Sequence, residues 1–309
     1  DLTYVSGDAS GLTENGTSLG IDPSFYNSLA VGETEVITYS YNVIDGNGGI
    51  VTQTATITIT GVNDTPTAND DAFATDEDAA IISQNVFNAN SGQADFDVES
   101  QTLTVSAVNG VMADVGNVIT LASGALLTLN DDGTFIYNLN GSFNSLPVGV
   151  SASDLFNYTI SDSQGGTDTA TVSIMIHGAN DEPVVQDESI SVTSDGSTVS
   201  TSILADDIDN DDDHISLSYT ITAEPTQGTA FSNYDGSFTF DPGTDFQDLL
   251  TGQSRQVTFT YTATDSNGAV SNTGTITVTV NGVNDAPVAL DGSLSATEDG
   301  SAVTTGVLA

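Results

Sequence analysis

The 309-residue chain predicts an all-β architecture of tandem Greek-key β-sandwich repeats, and three observations predict it. A hexapeptide recurs as Gly61-Val62-Asn63-Asp64-Thr65-Pro66, Gly178-Ala179-Asn180-Asp181-Glu182-Pro183 and Gly282-Val283-Asn284-Asp285-Ala286-Pro287, with proline-to-proline periods of 117 and 104 residues. Ahead of each copy lies a stretch in which apolar residues alternate with threonine, a period of two that buries one face of a strand and wets the other. Gly/Asn/Asp turns break these stretches, and helical periodicity is absent.

The third copy shows the hairpin most clearly. Val257, Phe259, Tyr261 and Ala263 alternate with Thr258, Thr260, Thr262 and Thr264, the chain turns at Asp265-Ser266-Asn267-Gly268, and Ile276, Val278 and Val280 alternate with Thr275, Thr277 and Thr279. Matching turns stand at Asp45-Gly46-Asn47-Gly48 and Asp162-Ser163-Gln164-Gly165. Phe238, Phe240, Phe259 and Tyr261 fall at strand spacing and are expected in the core. Repeats of this length suit about seven strands, an Ig-like sandwich. The implied organisation is the later part of one repeat over residues 1–62, complete repeats over 67–179 and 184–281, and the opening strands of a further repeat over 288–309. With no signal peptide at its start, the chain reads as an excerpt.

Composition restricts function. One basic residue, Arg255, faces 43 acidic ones, for a net charge of −42. Such a field repels nucleic acid and anionic membrane surfaces and attracts cations. No apolar run approaches the roughly 18 residues of a membrane helix. Cysteine is absent, so disulfides and thiolate chemistry are excluded. The acids concentrate in loops, as in Asp206, Asp207, Asp209, Asp211, Asp212 and Asp213, a pattern that favours bound metal over a uniformly solvated surface.

Carboxylates gather at three places in the complete repeats: the linker (Asp64, Asp181, Asp285), an Asp-x-Asp-x-acid loop (Asp95, Asp97, Glu99, paired in sequence with Asp207, Asp209, Asp211) and the hairpin turn (Asp162, Asp265). Carboxylates at i, i+2 and i+4 in a tight loop suit calcium, which takes six to eight oxygens in irregular geometry. Magnesium demands stricter geometry, and zinc prefers His or Cys. Catalysis is not expected: His177 and His214, the two histidines, lie on different repeats, and no nucleophile–base pair stands out. Tryptophan is absent, which weakens a sugar-stacking surface. The threonine ladder Thr52, Thr54, Thr56, Thr58 and Thr60 reads as the wet face of a strand.

The stretch from Tyr261 through the turn at Asp265 to Asn284-Asp285-Ala286-Pro287 resembles the end of a cadherin repeat, and more closely the VCBS and cadherin-like repeats of giant bacterial adhesins exported by the type I route. The resemblance implies calcium held between repeats. Carried over, one junction uses Glu77, Asn180, Asp181, Asp207, Asp209 and Asp265, the junction before it Asn63, Asp64, Asp95, Asp97 and Asp162, and Asp285 serves the junction after residue 287. Two departures stand out. Gly61, Gly178 and Gly282 occupy the place of a linker aspartate, and Ser194 stands where the early glutamate is Glu77 and Glu298, which should weaken the following junction.

The implied function is that of calcium-rigidified extender repeats in a secreted cell-surface protein, projecting a distal binding domain for attachment or biofilm formation. The alternative is that the repeats themselves bind polysaccharide or like repeats on another cell. A further expectation is head-to-tail strand complementation between copies, in which residues 288–309 of one chain complete residues 1–62 of the next.

Overall fold

The structure, a computed structural model, describes residues 2–79, 81–90, 92–209, 216–286 and 291–304. Asp211, Asp212, Asp213 and His214 of the acid run therefore lie outside the described residues, as do Pro287, 288–290 and 305–309. The chain divides into two compact units, residues 1–179 and 180–309.

The first unit opens with β1 (Leu2–Ser6), β2 (Leu12–Asn15), β3 (Ser18–Ile21), β4 (Thr34–Ile44) and β5 (Ile50–Thr60). These form a sheet of order β1-β4-β5 and a two-stranded β2-β3 ribbon. Tyr26, Ile37 and Tyr39 are buried between them, with Leu12, Leu19, Leu29 and Ile57 against them. Among the described residues β5 pairs on one side only, with β4. At the tip of that hairpin Val43, Ile44, Ile50 and Val51 are exposed.

The unit continues with β6 (Asp71–Asp76), β7 (Ile82–Asn85), β8 (Thr104–Val108), β9 (Val118–Thr120), β10 (Leu126–Leu129), β11 (Thr134–Asn138), β12 (Ser151–Ser161) and β13 (Thr167–His177). They make two four-stranded sheets, β6-β13-β12-β8 and β7-β11-β10-β9. All pairings are antiparallel except that β6 runs parallel to β13. Alternation explains the core. Ala170, Val172, Ile174 and Ile176 of β13 face inward with Phe156, Tyr158 and Ile160 of β12, and meet Leu127, Phe135 and Tyr137 of the facing sheet.

The second unit repeats this plan. It contains β14 (Glu188–Thr193), β15 (Val199–Ser202), β16 (Ser218–Ala223), β17 (Thr229–Ser232), β18 (Ser237–Asp241), β19 (Ser254–Thr264) and β20 (Gly274–Asn281), arranged as β14-β20-β19-β16 over β15-β18-β17. Again the opening strand, β14, runs parallel to the closing one, β20. Phe238, Phe240, Phe259 and Tyr261 are all buried, and the Phe238 ring packs 4.8 Å, centroid to centroid, from Tyr261. The all-β, Ig-like Greek-key expectation therefore holds in both units. Residues 291–304, inside the segment expected to supply opening strands, are exposed and form no strand.

The hexapeptide glycine has a steric cause. The closing strand ends against the chain that enters its partner strand, and a Cβ on Gly178 would lie 2.2 Å from the Pro147 carbonyl oxygen. The same contact would be 2.3 Å at Gly61, to Ala30, and 2.4 Å at Gly282, to Leu250. The neighbours are backbone, which cannot swing aside, so no aspartate fits there. Gly178→Ala should lower the stability of the sandwich it ends by about 1–3 kcal/mol, the range for overpacking. Urea unfolding checks this, and an unchanged midpoint would mean that the linker backbone can yield.

Candidate metal centre

The linker is fastened to the sandwich that follows it by a short antiparallel bridge. Thr67 N donates to Phe96 O at 2.8 Å and Phe96 N to Thr67 O at 3.1 Å. In the second unit Val184 and Asp206 make the same pair, at 2.7 and 2.9 Å. These bridges fix the equivalence of the two acid loops: Phe96 corresponds to Asp206, so Asp97 corresponds to Asp207 and Glu99 to Asp209. The sequence pairing of Asp95 with Asp207 is thus corrected by two residues.

The hairpin turn supplies the second wall. Asp162 is fully buried, and its Oδ1 accepts from the backbone N–H groups of Gln164, Gly165 and Gly166 at 2.7, 3.0 and 3.0 Å. Its Oδ2 accepts from the Asn63 side-chain amide at 2.7 Å. Burial alone would push this carboxyl up, but the Asn63 amide and the backbone donors outweigh it and hold the group below its usual range. In the second unit Asp265 Oδ1 accepts from Asn267 N and Ala269 N at 2.9 and 2.8 Å, and its Oδ2 accepts from the Asn180 amide at 2.7 Å. The turn aspartate folds its own loop through backbone amides, as aspartates in turns do, and leaves one oxygen for the linker.

The acid loop closes the first site. Asp97 Oδ1 accepts from Glu99 N at 2.9 Å, and Glu99 Oε1 accepts from Asp64 N at 2.8 Å. The Gln101 amide donates to Asn63 Oδ1 at 3.0 Å. Three oxygens of this loop, Asp97 Oδ2, Glu99 Oε2 and Gln101 Oε1, are buried without a hydrogen-bond partner. Each such atom costs about 1–3 kcal/mol. Burial, together with the neighbouring Asp97, pushes the Glu99 carboxyl above its usual range. An open cleft of about 460 Å³, lined by Ala30, Gln101, Asp162 and Ser163 among others, adjoins these residues. Buried, partnerless oxygens on an oxygen-only donor set fit a hard cation such as calcium. In the second unit Asp207 Oδ1 accepts from Asp209 N at 3.1 Å, and Asp209, itself buried, accepts from Asp181 N at 2.9 Å.

Among the sequence candidates, Asn63, Asp64, Asp97 and Asp162 are thus brought together in one unit, and Asn180, Asp181, Asp207, Asp209 and Asp265 in the other. Asp95 is not drawn into this network: its oxygens accept from Asn69 N at 2.7 Å and from the Tyr158 hydroxyl at 2.8 Å. Glu77 is buried at the exit of its sandwich, its oxygens accepting from Ala179 N at 2.7 Å and Leu146 N at 3.1 Å. Ser194 occupies that place in the second unit and keeps one of these contacts, accepting from Val283 N at 3.3 Å. Asp285 follows an asparagine whose amide donates to its carbonyl at 3.1 Å, the contact that Asn63 makes with Asp64 at 2.8 Å and Asn180 with Asp181 at 3.2 Å. Glu99 and Gln101 were missing from the set carried over from the resemblance. The Asp-x-Asp-x-acid spacing marks Glu99, whereas nothing in sequence marks Gln101.

A model of the bacterial cadherin-like domain matches residues 63–178 and 180–282. Among solved structures, mouse clustered PcdhgC3 EC1-3 is 16% identical, with 92% of this chain and 89% of that one covered at a TM-score of 0.45. Mouse cadherin-23 EC22-24 is 14% identical, with 91% and 86% covered at 0.45, and Drosophila N-cadherin EC1-4 is 14% identical, with 92% and 66% covered at 0.39. No curated protein matches the chain.

Glu99→Gln and Asp209→Asn, at equivalent positions, should each weaken calcium binding by at least about tenfold, whereas Asp195→Ala, at an exposed position, should not. Calcium titration of the three variants tests the assignment, and equal effects from all three would refute it.

Proposed function

The chain belongs to the bacterial cadherin-like domain family, and from that premise we propose that its repeats are calcium-rigidified extenders of a secreted cell-surface adhesin. Domains of this family are extracellular modules of adhesion proteins rather than catalysts. The single observation that carries the calcium reading is the set of buried, partnerless oxygens of Asp97, Glu99 and Gln101 beside the linker asparagine and the turn aspartate. Calcium supplies positive charge and oxygen coordination that the chain cannot supply itself, since Arg255 is its one Lys or Arg.

The residues divide the work. Asp162 and Asp265 hold their turns and orient the linker amides of Asn63 and Asn180. Asp97 and Glu99, and in the second unit Asp207 and Asp209, present carboxylates to the ion. Asp64 and Asp181 bring the linker backbone to the same loops. Glu77 is the proposed ligand from the repeat that precedes Asn180-Asp181, and Asp285 the linker ligand for the repeat that follows. Two carboxylates about 4 Å apart repel by roughly 4 kcal/mol near a protein surface, so the loops resist closing onto the linker until a cation cancels that term. In this reading, calcium outside the cell stiffens the array and projects a distal domain, while low calcium inside leaves it loose for export.

Calcium should raise the melting temperature by mass action, and more strongly than magnesium does. Scanning calorimetry with and without chelator in low salt tests this, and identical traces would refute calcium binding. Small-angle scattering tests the rigidity separately. Chelator should shorten the mean end-to-end distance while circular dichroism keeps its strand signal, and an unchanged profile would leave calcium binding without a mechanical role.

A further inference from the structure

Residues 67–179 hold a second carboxylate pair, away from the hydrogen bonds that tie acid loop, linker and turn together. Asp71 opens β6 and is only 3% exposed. Its Oδ1 accepts from the Asn90 amide at 3.0 Å, while its Oδ2 is buried with no hydrogen-bond partner. Asp95 faces it across the Tyr158 hydroxyl. That hydroxyl, on a fully buried ring, lies 2.8 Å from Asp95 Oδ2, 3.1 Å from Asn69 O and 3.5 Å from Val86 O. One proton thus serves three acceptors, and Asp71 Oδ2 adds a fourth oxygen that receives none.

Among the described residues, neutral donors and no basic side chain face these carboxylates. The one Lys or Arg of the chain, Arg255, pairs with Asp248 at 2.6 Å. The nearby acids Asp70 and Asp168 only add to the negative charge. Burial, with Asp95 and Asp70 as further causes, pushes the Asp71 carboxyl up to about 6 despite the Asn90 amide and, more weakly, the Tyr158 hydroxyl. Buried carboxylates are paired, protonated or bound to metal.

The second unit is an internal control. There the counterpart of Tyr158 is Tyr261, whose hydroxyl donates to Gln186 O at 2.6 Å. Ala205 stands where Asp95 is, by the register of the bridges at Phe96 and Asp206. Glu188 stands where Asp71 is, opposite Ile276 as Asp71 is opposite Val172, and it is exposed. The same sandwich plan thus forms with an exposed glutamate and an alanine at these two places, so the plan itself requires neither acid.

We propose that Asp71 and Asp95, with the carbonyl oxygens of Asn69 and Val86, form an interior site for a divalent cation of the calcium type, separate from the linker site. The donors are all oxygen and two are carboxylates, the set that a hard divalent ion takes. Tyr158 lies against the ion and orients Asp95.

The test counts bound calcium on the full chain by isothermal titration and equilibrium dialysis. Asp71→Asn and Asp95→Ala should each lower the count by one. Asp95→Ala copies the residue that the second unit already carries at this place, so it should fold. Tyr158→Phe should keep the count but reduce tyrosine-excited terbium luminescence, because the sensitising ring has lost its hydroxyl beside the ion. In chelator, Asp71→Asn should melt at a higher temperature than the parent, since the buried one of two repelling charges is gone. A folded Asp71→Asn or Asp95→Ala protein that retains the full count overturns the proposal and leaves a proton shared between the two carboxyls. Glu99→Gln reports on the linker site alone, so failure there is distinguishable from failure here.

Discussion

A side-chain hydrogen bond between linker and hairpin turn, spanning 99 positions in the first unit and 85 in the second, organises the candidate site of each. Asn63 donates to Asp162 at 2.7 Å, and Asn180 to Asp265 at the same distance in the other unit. The aspartate has already folded its own turn through backbone amides, so its remaining oxygen is a fixed acceptor, and the linker asparagine must come to it. Once the linker is there, the bridge from Thr67 to Phe96 brings the acid loop alongside, and Glu99 meets Asp64 N. Loosening the first contact would release the other two.

The sandwich cores make this concentration of charge tolerable. Inward positions of the long strands are apolar except Asp154 of β12, which accepts from the Ser123 and Tyr137 hydroxyls, and outward ones are mostly polar, so most acids lie in loops and at strand ends. Folding then depends on apolar burial, and the electrostatic strain of a −42 chain is confined to segments whose position a cation can adjust. The same separation explains the hexapeptide glycine. Close approach of two backbones at the sandwich exit sets the starting point of the linker, and a side chain there would move the asparagine off its acceptor.

The repeats are not interchangeable. Glu77 ties together the exit of one sandwich through two backbone amides, whereas Ser194 reaches one and the Gln247 amide donates to the Ser194 carbonyl at 3.2 Å. Asp71 is buried and Asp95 half-buried in one unit, and their places in the other are an exposed glutamate and an alanine. Local chemistry thus varies on a constant frame, the expected behaviour of a fold whose core and sites occupy different residues.

The strands, the hairpin turns and the repeat itself were legible in the sequence. A period of two with one apolar face has few structural solutions, and turn aspartates and glycines mark where each run stops. The acid loop was legible as a donor set but not in its register. Asp95, Asp97 and Glu99 recur every second residue, so a slip of two leaves the pattern intact, and only the backbone bridges to Thr67 and Val184 show that Asp97 corresponds to Asp207. The interior pair was not legible at all. Asp71 reads as an ordinary polar residue at the start of a strand, and Asp95 as one more loop acid. Their juxtaposition follows from the parallel docking of β6 on β13 and from the Tyr158 ring, contacts between segments some 60 to 100 residues apart whose register no local spacing encodes.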